Sequence, residues 1–306
     1  MTALPSGDRP VWDGVLVIDK SEGPTSHDVV SVARRALRLS RIGHTGTLDP
    51  LATGVLPLVI GRATRLAQYL SADDKEYDAT IRFGIATDTY DRRGTVVTTS
   101  DRRPSRGELE AALSPFRGSF SQTPPAFSAK NIDGTRAYER ARKQGPAAVQ
   151  PKPVTVTVQR LEILSFDGDT ARLLVEAGKG FYVRSLAHDL GTALGSGAVL
   201  DALRRTRSGA FGLDGATRYE ELVGSTRESL AGRLVRFDAL LSDWPSVLLD
   251  TASVSRVRHG LDVGPFPLPE SSRADIVRLL DAEGRLVALA KPSVERGFLH
   301  ASAVFG

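Results

Sequence analysis

The stretch Gly43–Gly54 constrains this chain more than any other, because it joins a turn-rich loop directly to an apolar run. It contains three glycines, three threonines, one histidine and one aspartate, and Val55–Ile60 follows at once. Small, turn-forming residues let a backbone approach a ligand, and a strand behind them holds the loop rigid. Asp49 precedes Pro50, which disfavours helix and presents the carboxylate at a loop tip. The stretch predicts a ligand-binding loop with Asp49 as nucleophile or base, although a simple Asp-Pro turn has the same spacing.

Composition limits the chemistry available to this loop. The 306 residues include no cysteine, which excludes disulfides, thiolate zinc sites and a cysteine nucleophile. With 41% hydrophobic and 25% charged residues, the chain has the composition of a globular protein. No window has the apolar length of a membrane span, and the first eight residues lack a signal-peptide core. We therefore expect a cytoplasmic protein without membrane contact.

Length and charge distribution predict two domains. Asp243-Trp244-Pro245 is typical of a domain boundary, and short apolar segments with Gly/Pro-rich turns follow it. Residues 244–306 carry seven Lys/Arg and seven Asp/Glu, so the formal net charge of +4 belongs to residues 1–243. A basic surplus favours an anionic partner. We predict a large basic domain over 1–243 and a small β-rich module over 244–306.

Hydrophobic periodicity predicts several elements. Val15–Ile18 is typical of a buried strand, and Lys75–Phe83 alternates as a strand does. Helices are expected to begin near Thr25, where Thr or the following Ser can act as N-cap, and near Ser105, which has capping-box spacing. Leu234–Leu241 predicts a further helix.

The loop resembles a motif of a known family. The fifteen residues Gly43–Pro57 are similar to the catalytic motif of the bacterial tRNA pseudouridine synthase B family. Other segments that resemble motifs of this family are Asp19–Ser26, Lys75–Tyr77, Thr87–Asp91, Gln122–Ala129, Lys179–Arg184 and Ala198–Leu203. Phosphotransferases with an aspartyl nucleophile place it before a Thr-Gly-Thr, whereas Asp49 follows one, so that class is disfavoured.

The chain departs from the family pattern at two places. Ser21 stands where a proline is common, which affects the stiffness of the loop more than its chemistry. In the family an aliphatic residue followed by a lysine is usual at this point, whereas here Lys130 comes one position early and Asn131 follows it. Any contact made by the family's lysine is therefore not assigned to Lys130.

The resemblance implies an α+β pseudouridine synthase fold, with a mixed, mainly antiparallel central sheet flanked by helices. For residues 244–306 it implies a PUA-like RNA-binding module. The implied reaction converts the T-loop uridine at position 55 of tRNA to pseudouridine. This isomerisation breaks a C–N glycosidic bond and rejoins the uracil through C5, without redox change. No cofactor and no metal are expected.

The same resemblance implies roles for individual residues. Asp49 is the nucleophile, and the residues leave open whether it attacks C6 of the base or C1′ of the sugar. Tyr77 stacks on the flipped uracil, and Arg184 pairs with Asp49 to keep it ionised and in place. Without the resemblance, Tyr77 would be an ordinary core aromatic and Arg184 a surface residue at a helix start.

Three further residues complete the implied site. His44 fills the space that the base vacates, while Tyr182 and Leu203 line the uracil pocket. The alternative for His44 is a hydrogen-bonded loop histidine. Extruding the uridine from a folded loop costs about a few kcal/mol.

The expected partner is the T-arm of tRNA, recognised by arginine contacts to its backbone. Two arginine clusters are candidates for these contacts: Arg34, Arg35, Arg38 and Arg41 in one, and Arg204, Arg205 and Arg207 in the other. Such clusters are more commonly solvated surface. We expect a monomer that needs no protein partner, since the chain lacks the extensions of guide-RNA-dependent relatives.

Two other functions remain open. A basic protein of this kind can act as a chaperone that unfolds and refolds tRNA, either in addition to catalysis or as its main role. A hydrolase with paired carboxylates is the second alternative, but no second acid matches a motif beside Asp49.

Overall fold

The computed structural model describes residues 12–128, 131–132, 135–145, 148–266, 276–293 and 297–305. Lys130 and the first eight residues, on which two of the predictions fall, lie outside these ranges. The strands are β1 (Gly14–Lys20), β2 (Ile42–His44), β3 (Thr53–Ile60), β4 (Lys75–Phe83), β5 (Ile85–Thr87), β6 (Val96–Thr99), β7 (Gly118–Gln122), β8 (Asn131–Ile132), β9 (Thr135–Arg136), β10 (Val154–Phe166), β11 (Thr170–Ala177), β12 (Ala198–Ser208), β13 (Thr217–Arg218), β14 (Val235–Arg236), β15 (Ser246–Leu248), β16 (Val277–Leu280), β17 (Leu286–Pro292) and β18 (Leu299–Val304). The α-helices are α1 (Ser26–Leu37), α2 (Ala67–Leu70), α3 (Arg106–Leu113), α4 (Ala137–Gln144), α5 (Val183–Ala193), α6 (Tyr219–Gly224), α7 (Arg227–Leu230) and α8 (Thr251–Arg258).

The central sheet has the strand order β13-β1-β3-β12-β4-β11-β10-β7, with β2 beside β3. The pairs β1–β13 and β3–β12 are parallel. Every pair from β12 to β7 is antiparallel. The prediction of an α+β fold with a mixed, mainly antiparallel sheet is confirmed.

Side-chain capping explains where two of the helices begin. The Thr25 hydroxyl accepts a hydrogen bond from the Asp28 N–H, and the Asp28 carboxylate accepts one from Thr25 N–H in return, so α1 starts at Ser26. Ser105 and Glu108 form the same capping box before α3. Both predicted helix starts are confirmed. Thr25, not Ser26, is the cap of α1.

The helix predicted over Leu234–Leu241 is wrong. Val235 and Arg236 form the short strand β14, which pairs with the first residues of β1, and Phe237–Ala239 forms a single 3₁₀ turn. Phe237 and Leu240 are both buried. Their three-residue spacing suits a 3₁₀ turn as well as a helix, so the periodicity did not separate the two.

The chain packs as two units. One comprises Val17–Leu58 and Ala67–Ser229; the other comprises the described parts of Met1–Leu16, Val59–Leu66 and Leu230–Gly306. Within the second unit, β15 to β18 form a four-stranded sheet. The buried side chains of a separate apolar cluster all come from this C-terminal region: Leu249, Val257, Val263, Val277, Leu279, Val287, Ala288, Ala290 and Leu299. The β-rich module is thus present, while its boundary at Asp243 and its PUA-like identity remain predictions.

Candidate active site

The loop that carries Asp49 lies between β2 and β3 and is anchored at several backbone positions. The Ser26 hydroxyl donates to the Leu48 carbonyl at 3.1 Å and accepts from the Leu48 N–H at 2.8 Å. The Gly23 N–H donates to the Pro50 carbonyl at 2.8 Å. These bonds tie both sides of Asp49 to the start of α1 and the segment before it. The carboxylate is therefore presented from a fixed backbone.

Gly54 explains why a glycine must follow this loop. Its φ is +98°, and a Cβ at this position would lie 2.1 Å from the Arg205 carbonyl oxygen. Only glycine permits the close approach of β3 to β12 at this point. The Asp49 loop is thereby placed beside the middle of the central sheet.

Arg184 holds the Asp49 carboxylate. Its Nε donates to Asp49 Oδ2 at 2.8 Å and its Nη2 to Asp49 Oδ1 at 3.2 Å, a bidentate pair. The Arg184 side chain is only 6% exposed, whereas that of Asp49 is 37% exposed. Further bonds run from Arg184 to the carbonyls of Thr89 at 3.0 Å and Phe127 at 2.8 Å. A buried cation thus orients a carboxylate that stays open to a ligand.

A cavity of about 280 Å³ adjoins this pair. Of the six residues that the sequence predicts for the site, five line it: Asp49, Tyr77, Tyr182, Arg184 and Leu203. Its other lining residues include Thr45, Lys75, Ser128, Gly178–Phe181 and Arg205. Residues distant in sequence therefore converge on one polar cavity, which has the size for a nucleoside.

His44 is the predicted residue outside the lining of this cavity. Its Nδ1 accepts a hydrogen bond from the Gly46 N–H at 3.3 Å. Burial lowers the pKa of His44, and the neighbouring His27 and Arg205 lower it further. A neutral imidazole at pH 7 follows, consistent with the alternative of a hydrogen-bonded loop histidine.

Tyr182 is held by a side chain from the far edge of the sheet. Gln122, the last residue of β7, donates from Nε2 to the Tyr182 carbonyl at 3.1 Å and accepts from the Tyr182 N–H at 2.8 Å. Burial raises the pKa of Tyr182, so its phenol stays protonated at neutral pH. The first residue before α5 is thereby fixed in place.

Lys20 is a charged residue near Asp49 that the sequence analysis missed. It is fully buried, and its Nζ donates to the carbonyls of Ser21 at 2.8 Å and Ala52 at 2.6 Å. Burial lowers the pKa of Lys20 to about 8, although the charge of Asp49 acts in the opposite direction. The predicted strand stops at Ile18, whereas the observed strand β1 continues to Lys20, and the sequence analysis gives Lys20 no role of its own.

The surface arginine cluster predicted from Arg204, Arg205 and Arg207 is wrong for Arg205, whereas the side chains of Arg204 and Arg207 are partly exposed. Arg205 is only 1% exposed and donates to the carbonyls of Val55 at 2.7 Å and Gly46 at 3.2 Å. Arg204 and Arg207 pair with Asp19 and Glu176. Strand alternation was the available signal, because Leu203 and Arg205 point to the same face of β12.

Arg205 also interacts with Tyr77. Burial lowers the pKa of Arg205, while the charge interaction and hydrogen bond with Tyr77 raise it. Through its bonds to Gly46 and Val55, the same guanidinium links the Asp49 loop to β3. Arg205 therefore couples the position of Tyr77 to that of the loop. Within the described ranges, no group of three His, Cys, Asp or Glu residues is arranged to hold a metal ion.

Models of known protein families match almost all of the first unit, which comprises Val17–Leu58 and Ala67–Ser229. Residues 34–183 match the model described as TruB family pseudouridylate synthase (N terminal domain). Residues 184–241 match the model described as tRNA pseudouridylate synthase B C-terminal domain. The two matches meet at Arg184, so the ion pair joins residues from both matched segments.

Curated relatives are similar over nearly their full length. A tRNA pseudouridine synthase B from Solibacter usitatus (strain Ellin6076) is 46% identical, covering 91% of this chain and 95% of that protein. One from Burkholderia pseudomallei (strain 668) is 41% identical, covering 93% and 95%. Among solved structures, a chain of the archaeal box H/ACA sRNP Nop10-Cbf5 complex matches with a TM-score of 0.71 and 28% identity, covering 97% of this chain and 89% of that one.

Proposed function

The chain belongs to the TruB family of pseudouridylate synthases, and we propose that it modifies the uridine at position 55 in the T loop of tRNA, with Asp49 as nucleophile. Membership makes it an isomerase that forms pseudouridine in tRNA. The observation that carries the finer proposal is the bidentate Asp49–Arg184 pair at a nucleoside-sized cavity. This pair leaves one carboxylate both oriented and reachable.

The reaction follows from this geometry. The target uridine leaves the T loop and enters the cavity, where the Tyr77 ring stacks on the uracil. A carboxylate oxygen of Asp49 bonds to C6 of the base or C1′ of the ribose, and the C1′–N1 bond breaks. The uracil rotates, C5 bonds to C1′, and the Asp49 bond is released. The proton lost from C5 is balanced by one gained at N1, so no redox partner is needed.

The surrounding residues have supporting roles. Arg184 pairs with Asp49 and orients it, and Tyr182 and Leu203 form walls of the uracil site. His44 occupies the place in the T loop that the base vacates. Because burial lowers the pKa of His44, the proposed insertion uses the neutral imidazole.

The tRNA contacts are assigned to exposed basic residues of the first unit. Arg34 and Arg35 are exposed in the last turn of α1, and Arg142 and Lys143 are exposed at the end of α4. Contacts of this kind neutralise phosphates and fix the position of the RNA without reading its sequence. The charge-balanced module over 244–306 would contribute as a PUA-like domain that contacts tRNA by shape.

We further propose that the protein acts as a cytoplasmic monomer without a protein partner. The described residues contain no helix that is long and apolar enough to span a membrane. The solved structure named above is a Nop10-Cbf5 complex, and a second similar structure, with a TM-score of 0.73 and 29% identity, is a Cbf5-Nop10-Gar1 complex. The bacterial relatives carry only the name tRNA pseudouridine synthase B. A tRNA-folding role would use the same basic surface and would survive loss of Asp49.

The decisive experiment maps pseudouridine in tRNA from cells that lack or carry this chain. We expect one site, position 55, to lose pseudouridine in the deletion and to regain it with the intact chain. Restoration of tRNA folding, but not of pseudouridine, by the Asp49→Asn chain would support the additional chaperone role. Loss at another position would overturn the T-loop assignment while leaving the family unchanged.

A further inference from the structure

Thr45 is a cavity residue to which neither the reaction nor the family resemblance gives a role. Its side chain is 2% exposed and lines the cavity beside Asp49. Its backbone N–H donates to the Pro57 carbonyl at 3.2 Å. Among the described residues, its Oγ1 has no hydrogen-bond partner. A buried hydroxyl without a partner destabilises a folded protein, so such a group needs an explanation.

Several other polar groups around the cavity are already occupied. The Asp49 carboxylate is bound by Arg184, and the Gly46 carbonyl is bound by Arg205. The Tyr182 backbone is bound by Gln122. Among the described residues that line the cavity, two buried hydroxyls, those of Thr45 and Ser128, have no hydrogen-bond partner, and Thr45 belongs to the loop that carries Asp49.

We propose that Thr45 turns its buried hydroxyl toward the cavity when the target nucleotide binds, forms a hydrogen bond to that nucleotide and so helps to select and hold it. This inference rests on the proposed function of the cavity. A threonine hydroxyl can donate one hydrogen bond and accept others, which suits the alternating carbonyl and N–H groups of uracil or a ribose hydroxyl. A nucleotide that satisfies this group removes the penalty that the free protein carries, so the bond favours binding of the correct base.

Thr217 supplies a matched control. It is 1% exposed, and within the described part of the chain its Oγ1 also lacks a hydrogen-bond partner. It lies on β13 opposite Ile18 of β1 and is not among the residues that line the cavity. The two threonines thus share burial and an unused hydroxyl, but only Thr45 is among the residues that line the cavity.

The test compares Thr45→Val, Thr45→Ser and Thr217→Val with the intact chain. Valine has the shape of threonine without its hydroxyl, so both valine variants should raise Tm by a few degrees, about 2–4 °C. Thr45→Val should nevertheless lower kcat/KM for tRNA by roughly tenfold, the usual effect of one lost hydrogen bond. Thr45→Ser should stay within about threefold, because it keeps the hydroxyl. Thr217→Val should leave kcat/KM unchanged.

Two results would overturn the proposal. One is an unchanged kcat/KM for Thr45→Val. The other is a lowered Tm for Thr45→Val together with equal loss in Thr45→Ser, which would indicate a packing role. The assay counts pseudouridine at whichever tRNA position the intact chain modifies, so an error in the T-loop assignment leaves this comparison valid. Affinity for T-arm RNA with uridine or 2′-deoxyuridine at the target, measured in parallel, identifies the partner group: the Thr45→Val penalty disappears with deoxyuridine if Thr45 binds the ribose and persists if it binds the base.

Discussion

Four cationic side chains lie in the interior beside the Asp49 cavity, whereas the buried cluster of the module over 244–306 is apolar. Lys20, Lys75, Arg184 and Arg205 are each at most 7% exposed. In the described residues of the module, ion pairs such as Arg285–Asp281 lie at the surface instead. Burying a charge costs stability, and a fold retains it where the charge performs a task. The difference indicates that the first unit accepts a stability cost for chemistry, while the module is built for packing.

The largest effect should come from the carboxylate itself. We expect Asp49→Asn to lower turnover by about 1,000-fold or more, because the amide cannot form the covalent bond to the nucleotide. Affinity for tRNA should stay within a few-fold, since several arginines share the binding. Asp78→Asn is the matched control, because Asp78 pairs with Arg172 away from the cavity. Single-turnover rates and filter binding separate the two quantities, and substantial turnover in Asp49→Asn would remove it as nucleophile.

The two interiors can be compared directly with one truncation of a leucine in each. Leu279 lies in the module core and Leu190 in α5, and both are fully buried. Each change to Ala should lower the free energy of unfolding by about 2–5 kcal/mol. Leu279→Ala should weaken apparent tRNA affinity and leave turnover at saturating tRNA unchanged. Leu190→Ala should also lower that turnover, because α5 carries Arg184.

Equal loss of saturating turnover in the two leucine variants would contradict this division. The module would then contribute to the geometry of the cavity, and the proposed boundary at Asp243 would be wrong. Chemical denaturation followed by circular dichroism gives the stability of each variant, so kinetic loss can be separated from unfolding.

Neighbouring arginines on β12 sharpen the contrast between buried and exposed charge. Arg205→Met leaves the Gly46 and Val55 carbonyls without their donor, and we expect it to lower the free energy of unfolding by about 2–4 kcal/mol. Arg204, whose side chain is 41% exposed, pairs with Asp19, and Arg204→Met should change stability by about 1 kcal/mol or less. Urea denaturation measures both. Equal stabilities would mean that the Arg205 bonds are replaced by water at no cost.

The smallest effect concerns two acids whose pKa values move in opposite directions. Burial raises the pKa of Asp189 in α5 to about 6. In the module, hydrogen bonds from Ser293 and His300 lower the pKa of Asp262. A raised carboxyl pKa means that the folded state binds the proton more tightly, so stability is lost as pH rises from about 4 to about 6.

Asp189→Asn should therefore be more stable than the intact chain at pH 7, by about 1–3 kcal/mol. This advantage should shrink toward zero as pH falls to 4, because the carboxyl is then protonated in both states. Asp262→Asn should show no such gain at pH 7, since its ionised form is the favoured one. Thermal melts across this pH range test the sign. A gain for Asp189→Asn that does not depend on pH would point to packing instead of charge.

Local patterns predicted the elements that support the cavity better than those of the module. The alternation of Lys75–Phe83 predicted β4 with its observed bounds, and capping residues predicted the starts of α1 and α3. In the module, α8 begins after the N-cap Asp250 and was missed, because the sequence analysis found only short apolar segments and turns there. A short amphipathic helix next to a strand contains too few residues for its helical periodicity to be recognised.

The pairing of Asp49 with Arg184 came from resemblance and not from any local pattern. No periodicity links residues on a loop and a distant helix, since their contact depends on the whole sheet between them. For Lys20 and Arg205, in contrast, a local sequence pattern was available and was not used. Their burial follows from strand alternation combined with strand length. Because charged residues are rarely buried, the sequence analysis did not predict that these two side chains lie in the interior.

The sequence separation of the ion pair has a consequence for synthesis of the protein. Asp49 is made 135 residues before Arg184. At about 5–20 residues per second, the ribosome needs roughly 7–27 s to cover that distance. During this interval the nascent chain carries its reactive carboxylate without the cation that orients it. The complete cavity thus forms only after α5 and β12, which supply Arg184, Leu203 and Arg205, have been synthesised and have folded against the Asp49 loop.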